Sequence, residues 1–394
     1  MIELEAKFRV VTPLFMSGSN RFEAELRVPS IKGVLRFWWR ALSMGRLGSV
    51  GRVKEEESRI FGSAGNDVGQ ARVHLRLKLP ENLSQYNDPI LKYADGKTVG
   101  PGARYLGYGL VEAIPNRKRN NRAGQILRSC LKYPFEGALN LLFRNDTSTN
   151  DIKNVASSLI AMGLFGGLGS RARKGFGSFN LVDLKLGKED LFGMPRDLKD
   201  LGLKIESFFK NYDIVAYSGI PPYTAFSNLT RVDIVETAAD PLRLLNSVGE
   251  AMQMYRSWGR NGKVNYENSE RNFKDDHDLV ADAINNKVKI HPRRAVFGLP
   301  HNYYFSSFQE KVDVKPTRFD RRASPLFIHI QELSNGQYAA ITTIIPSEFL
   351  PSGEKIRVGD SVVPQHVDFR VIHEFLDGKN GYGKPRFPNA ITII

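Results

Sequence analysis

The stretch that decides the fold is Gly-Gly-Leu-Gly-Ser-Arg-Ala-Arg-Lys-Gly-Phe-Gly, residues 166–177. Glycine permits positive φ and close approach of another molecule, and successive backbone N–H groups in such a loop can form an anion-binding concavity. We therefore predict a loop that binds a phosphate backbone; a flexible, solvated turn is the alternative. The residues expected to contact or admit the phosphates are Gly166, Gly167, Gly169, Arg171, Arg173, Lys174, Gly175 and Gly177.

The flanks of this loop exclude the common nucleotide-binding loops. Apolar residues recur at helical spacing over 151–165, and residues 178–186 alternate as a strand does. The order is helix, loop, strand, whereas a dinucleotide-binding loop runs strand, loop, helix. The Gly-Lys-Thr at 96–98 has Leu91 where an ATPase phosphate loop needs glycine. We therefore predict no nucleotide cofactor.

The overall charge points to a polyanionic partner. The chain has 394 residues, with 56 Lys and Arg against 42 Asp and Glu, a net charge of +14. Such an excess favours nucleic acid over a membrane surface, although a basic protein can also be basic for solubility alone. The single cysteine, Cys130, excludes an intramolecular disulfide framework. With no secretory pattern and no bilayer-length apolar run, we expect a cytoplasmic protein without a membrane partner.

The first half of the chain predicts a ferredoxin-like order of elements. Strands are expected over 3–11, 71–79 and 138–144, and a helix over 30–42 with Ser30 as its N-cap. That helix carries an apolar face and a basic ridge, defined here as Lys32, Arg36 and Arg40. With the helix and strand beside the glycine loop, the order is βαββαβ. A solvated surface helix is the alternative for the ridge.

The second half is predicted to be a more divergent copy. A charged, mostly helical connector is predicted over 187–212, a strand over 223–236, and a helix from Asp240 or Pro241 to about Trp258. A hairpin over 326–346 turns at Asn335-Gly336. A helix over 365–375, a glycine and basic loop over 377–384 and an apolar end then repeat the helix, loop, strand order. The predicted domains are 1–190, with a basic insertion at about 80–137, and 213–394, with 191–212 connecting them.

Catalytic motifs are scarce. Neither a His-Glu-x-x-His helix nor a Gly-x-Ser-x-Gly elbow occurs, and the carboxylate and histidine cluster at 274–278 favours a charged loop over a Mg²⁺ or Mn²⁺ site. Metal-independent RNA cleavage by His, Tyr or Lys has no fixed spacing and stays open. A protein-docking role for the basic surface is a third hypothesis.

Five segments resemble the RAMP superfamily, and within it the family of first subunits of the Cmr complex, a type III-B CRISPR RNA-guided effector. The resemblance is strongest over residues 1–190, where the helix at 29–42 and the glycine loop together make it specific. The segments are Thr12–Phe15, Pro29–Leu42, Ile60–Ser63, Gly166–Gly177 and Arg321–Leu326.

The resemblance implies an α+β chain of two tandem ferredoxin-like (RRM-like) domains that assembles with other Cmr subunits. It implies a position toward the 3′ end of the guide RNA, with contacts to guide or target RNA. It assigns catalysis to other subunits, so we expect no enzyme activity, metal or cofactor; an RNA-processing ribonuclease of the same superfamily is the alternative. The further RNA-binding candidates are Lys32, Arg36, Arg40, Arg293, Arg294, Arg321 and Arg322.

Overall fold

The first half of the chain folds around a five-stranded antiparallel sheet. The computed structural model describes residues 2–20, 22–63, 69–211 and 217–394. The sheet has the order β2-β3-β1-β4-β5, and alternate residues of its central strand, Leu4 to Val10, are buried. The strands are β1 (Ile2–Val10), β2 (Val73–Lys78), β3 (Phe135–Phe143), β4 (Phe179–Leu186) and β5 (Glu189–Gly193).

Four helices accompany this sheet. Helix α1 begins at Val28, with Arg27 as an N-cap that makes no side-chain hydrogen bond. Pro29 is tolerated there because the first N–H groups of a helix need no intrahelical partner. Ser30 therefore lies inside the helix, and its prediction as N-cap is wrong. The helices are α1 (Val28–Leu47), α2 (Val50–Phe61), α3 (Pro101–Leu106) and α4 (Thr149–Phe165).

The second half contains a sheet of the order β11-β12-β6-β15 and a separate sheet of the order β14-β13-β10-β9. The elements are α5 (Leu198–Asn211), β6 (Arg231–Ala238), α6 (Pro241–Arg256), β7 (Lys263–Val264), β8 (Glu267–Asn268), α7 (Lys274–Asp282), β9 (His301–Phe305), β10 (Glu310–Pro316), β11 (Leu326–Glu332), β12 (Tyr338–Ile344), β13 (Lys355–Val358), β14 (Ser361–Pro364), α8 (Arg370–Asp377) and β15 (Ile391–Thr392).

The two halves have the same strand order, which confirms the predicted fold class. In the first half the chain runs β1, α1, β2, β3, α4, β4, and the strands lie as β2-β3-β1-β4. In the second it runs β6, α6, β11, β12, α8, β15, and the strands lie as β11-β12-β6-β15. Both are the split βαβ arrangement of ferredoxin-like folds. The loop at 378–390 thus occupies the same topological place as the loop at 166–178.

Apolar side chains from the two halves pack together in shared core clusters. Helix α4 is buried along nearly its whole length because sheet β1–β5 lies against one side and strands β11 and β12 against another. Its last residue, Phe165, contacts Trp38, Phe209 and Phe226 through ring centroids 5.9–6.3 Å apart. Trp39 is buried as well as Trp38, so both tryptophans serve the core.

The glycine loop and the start of β4 form the seam between the halves. β11 is the edge strand of its sheet, and the first half satisfies its backbone N–H groups. Ile328 N–H donates to Arg173 O at 3.0 Å, Ile330 N–H to Ser178 Oγ at 3.0 Å, and Glu332 N–H to Asn180 Oδ1 at 2.5 Å. All seven residues of β11 are buried. These bonds therefore give partners to backbone N–H groups that an edge strand would otherwise leave unpaired.

Several element boundaries differ from the prediction. Strand β6 begins at Arg231 rather than at 223, because Ser227 and Thr230 close a turn just before it. Helix α8 begins at Arg370, where Asp368 accepts the N–H of Arg370. The connector at 187–212 includes strand β5 as well as helix α5. The domain boundaries stay a prediction, and the one between 212 and 213 lies outside the described residues.

Residues 80–134 and 257–325 are the two large insertions. The first places α3 against α6, where Gly102 N–H donates to Asn246 Oδ1 at 3.1 Å. The second carries α7, β9 and β10 and the 3₁₀ helix Arg293–Phe297. Across the described ranges, no helix combines the length and the apolar character needed to cross a membrane.

Candidate nucleic-acid interface

The glycines of the loop serve packing within the chain. Gly177 has φ +62°, and a Cβ there would lie 2.1 Å from Leu168 O; at Gly175, with φ +80°, it would lie 2.4 Å from Leu245 Cδ2. At Gly166, Gly167 and Gly169 a Cβ would also meet the chain's own atoms at 3.0 Å or less. Packing within the chain is therefore enough to account for these glycines, and their role in admitting a phosphate backbone stays a prediction.

Several backbone N–H groups of the loop are used within the chain. Leu168 N–H donates to Gly177 O at 2.8 Å, Ser170 N–H to Phe15 O at 2.8 Å, and Gly177 N–H to Pro13 O at 3.0 Å. The glycines make these contacts possible, and the contacts fix the loop in one conformation.

Arg171 is the exposed cation of the loop. It has φ +62°, and its guanidinium donates from Nε at 3.0 Å and from Nη2 at 2.6 Å to Tyr108 O in the first insertion. Burial, and then the positive charge of Arg321, lower its pKa. Arg321 itself is exposed. Two arginines from distant parts of the chain thus share one surface.

Arg173 joins the loop to the second half. Its Nη1 donates to Ser324 O at 2.6 Å, and its guanidinium lies 4.4 Å from the ring centre of Phe327 and 5.3 Å from that of Phe37. Two aromatic rings hold a guanidinium strongly when it is desolvated. Arg173 therefore has a structural role, and its charge lies near the exposed side chain of Arg171.

Lys174 points toward the end of α6. Its Nζ lies 3.8 Å from Met252 Sδ, one helical turn before Arg256. Burial, and then the charges of Arg256, Arg171 and Arg173, lower the pKa of Lys174 well below its ordinary value. The residue as a whole is half-buried.

Arg256 and Arg294 continue the cationic surface into the second insertion. Arg256 Nη1 donates to Tyr105 Oη at 3.0 Å, and its Nη2 lies 3.2 Å from His301 Nε2. Arg294 donates from Nε to Tyr303 Oη at 2.7 Å and from Nη1 to Arg256 O at 3.1 Å. The loop, α3, α6, the 3₁₀ helix and β9 therefore meet at one place.

Arg322 lies close enough to Arg173 for its charge to lower the pKa of Arg173, after the larger effect of burial. Its Nη2 donates to Ser347 Oγ at 2.7 Å and to Glu348 O at 3.2 Å. It also lines a groove of about 400 Å³ that extends to Arg40 on α1. Burial lowers its pKa.

These side chains form what we call the cation cluster: Arg171, Arg173, Lys174, Arg256, Arg294, Arg321 and Arg322. Within the ranges that the structure describes, their side chains make no ion pair with a carboxylate; their partners are carbonyls, hydroxyls, rings and one sulfur. Half-buried charges are costly when nothing of opposite sign compensates them. The cluster is therefore electrostatically poised for an anion.

The basic ridge on α1 differs from the cluster. Arg36 Nε and Arg40 Nη1 both donate to Glu57 Oε1 at 2.6 Å, and Glu57 is buried. Lys32 is half-buried, and burial followed by the charge of Arg36 lowers its pKa. The ridge predicted from the sequence exists, but two of its arginines pair with one carboxylate from α2.

Arg293, another predicted residue, lies outside the cluster. Its exposed side chain is 3.5 Å from Glu374. The sequence missed Tyr105, Arg256 and His301. Arg256 could have been noticed as a cation in the last turn of the predicted helix, but no local spacing marks Tyr105 or His301, which arrive from the two insertions.

The cluster at 274–278 is used within the fold. Asp276 accepts backbone N–H groups of Arg293 and Arg294 at 2.9 and 2.8 Å, Lys274 bonds Asp278 at 2.5 Å, and His277 lies 3.1 Å from Asp278. In the described part of the chain, no three His, Cys, Asp or Glu side chains are placed together to hold a metal ion. The carboxylates here organise the 3₁₀ helix beside the cation cluster.

Two tandem ferredoxin-like folds, joined through a basic glycine-rich loop, define the class of this protein. A model of the RAMP superfamily matches residues 7–180. The CRISPR system Cmr subunit Cmr1-2 of Pyrococcus furiosus is 30% identical over 189 residues, which are 47% of this chain and 98% of that relative. The Cmr1-1 subunit of the same organism is 25% identical over 356 residues, 88% of each chain.

Solved structures agree on the fold. The crystal structure of Cmr1 from Pyrococcus furiosus in its apo form has a TM-score of 0.59 at 16% identity, covering 100% of this chain and 99% of that one. A chain of the type III-B Cmr-beta complex bound to cognate target RNA has a TM-score of 0.51 at 15% identity, covering 95% and 98%. The chain belongs to the RAMP superfamily and, with these relatives, to its family of Cmr1 subunits of CRISPR systems.

Proposed function

We propose that this chain is a non-catalytic, RNA-binding subunit of a type III-B CRISPR (Cmr) effector complex. It binds guide RNA toward the guide's 3′ end, target RNA, or both, and it contacts other Cmr subunits. Its family supports this role, and so does its likeness in fold to a chain of a Cmr-beta complex bound to cognate target RNA. We also propose the domain limits 1–190 and 213–394 with a connector between them.

One observation supports the proposal above all others, namely that the cation cluster has no carboxylate partner in the described structure. RNA carries a negative charge at every phosphate, and binding it releases condensed counterions. Arg171 and Arg321 are the exposed members, so they are the first side chains that an RNA backbone meets. The basic ridge contributes less, because Glu57 already compensates Arg36 and Arg40.

Salt titration of RNA binding tests this role. Fluorescent single-stranded RNA is titrated with wild type and with Arg171→Ala/Arg321→Ala over a range of salt concentrations. Each lost phosphate contact lowers the slope of log affinity against log salt by about 0.7, so the double variant loses about 1.4. Both side chains are exposed, so the fold should be retained.

Arg144→Ala is the matched control. Arg144 is an exposed arginine that is 3.2 Å from Asp146, and its loss should leave both the affinity and the slope unchanged. Equal slopes for wild type and the double variant would contradict the RNA-binding role of the cluster.

The structure offers one observation in favour of a ribonuclease, since Lys174, His301 and two tyrosines lie together. Yet His301 Nε2 accepts from Arg256, which leaves no free lone pair on the imidazole for a general base. Incubation of labelled repeat RNA with the protein and EDTA separates the two functions. We expect intact RNA; cleavage that disappears in His301→Ala would establish the enzyme instead.

A docking surface for acidic subunits is the other outcome. In that case the Arg171→Ala/Arg321→Ala variant would keep its RNA affinity but fail to co-purify with other subunits after nuclease treatment.

A further inference from the structure

The inner part of the cation cluster forms a recess built from five separate elements. We define the inner recess as Lys174 from the glycine loop, Tyr105 from α3, Arg256 from α6, Arg294 from the 3₁₀ helix, and His301 and Tyr303 from β9. Apart from Tyr303, which is buried, each is half-buried. Both insertions contribute to the recess.

Its side chains are held in place by one another. Arg256 lies 4.6 Å from the ring centre of Phe297, and Arg294 lies 4.2 Å from that of Tyr303. Arg294 also donates to Arg256 O, and Met252 fixes Lys174 beside the last turn of α6. A ligand entering here meets a preorganised set of groups, which lowers the entropic cost of binding.

The recess presents hydrogen-bond donors that lack acceptors. Arg256 Nε is buried without a partner in the described structure, and so is His301 Nδ1. Because Arg256 donates to His301 Nε2, the neutral imidazole carries its proton on Nδ1. Tyr105 Oη and Tyr303 Oη each accept from an arginine, so their own O–H groups are free to donate. Each of these groups is able to donate to an oxyanion.

Asp276, a carboxylate near the recess, already has hydrogen-bond donors. Asp276 accepts the N–H groups of Arg293 and Arg294, and no other carboxylate of the described chain pairs with Lys174 or Arg256. Unsatisfied buried donors cost free energy, and more so when they are charged. The recess therefore gains stability from an anion with several acceptor oxygens.

We propose that the inner recess binds a single phosphate group, which the chain holds separately from the phosphates that contact Arg171 and Arg321. This inference rests on the proposed function, because the phosphate belongs to a bound RNA. The group is either the terminal phosphate of a strand or one backbone phosphate drawn into the recess. Both sources present the same oxygens, and the test separates them.

Inorganic phosphate is the first probe. Thermal unfolding of the full chain is followed with increasing sodium phosphate, against sodium chloride matched in ionic strength. A ligand that binds the folded state raises Tm by mass action, so phosphate should raise Tm more than chloride does. Lys174→Met should abolish the difference, Lys174→Arg should keep it, and Arg144→Ala should match wild type.

Single-stranded oligonucleotides of one sequence are the second probe, prepared with and without a terminal phosphate at either end. Lys174→Met should weaken RNA binding by about tenfold or more, the effect of losing a charge-assisted hydrogen bond. If the recess holds a terminal phosphate, removing that phosphate should weaken wild type about equally and the variant little. If it holds a backbone phosphate, the terminal phosphate should make no difference to wild type.

The failure of this inference is distinct from that of the proposed function. If phosphate and chloride shift Tm equally, and Lys174→Met binds RNA as wild type does, the recess is no phosphate site. The proposed function would then still stand provided that Arg171→Ala/Arg321→Ala loses salt slope. If that variant also behaves as wild type, RNA binding by this surface is excluded as well.

Discussion

The basic ridge on α1 and the cation cluster around the glycine loop carry the same kinds of side chain but differ in what faces them. On the ridge, Arg36 and Arg40 share the buried carboxylate of Glu57 at 2.6 Å each. In the cluster, Lys174 faces Arg256, and Arg171 faces Arg321, with no carboxylate partner in the described structure. The ion pairs of the ridge add to the stability of the folded state, whereas the unpaired charges of the cluster lower it unless an anion is bound.

The comparison teaches that counting cations on a predicted face says little about binding. Both surfaces are basic in the sequence, and the ridge and most of the cluster belong to segments that resemble the same family. Only the position of α2 against α1 brings Glu57 to the ridge. Function is therefore better located by the charges that remain uncompensated.

The largest effect is expected when the ridge arginines are removed. Arg36→Gln/Arg40→Gln leaves Glu57 buried without a counter-ion, and breaking such a pair destabilises a fold. Because the arginines are about one third exposed, we expect a loss of about 2 kcal/mol, below the range for fully buried pairs. Chemical denaturation measures it, and the RNA salt slope of the folded variant should stay within error of wild type. A large drop in slope without destabilisation would assign RNA binding to the ridge.

Lys174→Met should stabilise the protein and weaken RNA binding, the opposite of the result expected for the ridge variant. Replacing a half-buried cation among cations by an apolar side chain should stabilise the RNA-free protein by about 1 kcal/mol, while it weakens RNA binding. The pKa of Lys174 is lower in the folded chain than in the unfolded chain, so the folded state binds this proton less tightly. The wild type should therefore gain stability relative to the variant as pH rises from the folded pKa toward 10.5.

Denaturation at pH 6 and pH 9 checks this sign. Lys174→Arg is the control, since it keeps the charge and should show neither the stabilisation nor the loss of binding. A variant that is less stable than wild type at both pH values would show that Lys174 is compensated in a way the contacts do not reveal.

The smallest effect is expected from Glu57→Gln, which removes the carboxylate and leaves both ridge arginines in place. The ridge would then resemble the cluster electrostatically, and the salt slope should increase by up to about 1 with a gain in RNA affinity of about threefold. Glu23→Gln, a change at another carboxylate in the chain, is the control. An unchanged slope would show that uncompensated charge alone does not recruit RNA.

Much of the fold could be predicted from local patterns. Alternation marked β1 and β2, the Asn335-Gly336 turn marked the β11–β12 hairpin, and glycine spacing marked a repeated loop before the last strand of each half. These signals are local because strand period and turn chemistry depend on neighbouring residues. The start of α1 was misplaced at Ser30, since capping residues also occur within first turns.

The cation cluster was predicted only in part, because its residues are far apart in the sequence. The loop cations, Arg294, Arg321 and Arg322 were predicted, whereas Arg256, Tyr105 and His301 were not. Those three come from different elements, and only the packing of α3 against α6 and of β9 near the loop brings them together. The packing role of the glycines was not predicted either, because a glycine required by tertiary packing looks the same in a sequence as one required by a ligand.

Crosslinking of the assembled complex to its guide and target RNA, with the crosslinked peptides mapped, tests the central claim most directly. We predict crosslinks in the peptides that contain Arg171–Lys174, Arg256 and Arg321–Arg322. The peptide that spans α1, Val28–Leu47, should carry few or none. Crosslinks confined to α1, or an absence of crosslinks in this chain while other subunits are labelled, would contradict the claim that its uncompensated cations form the RNA-binding surface.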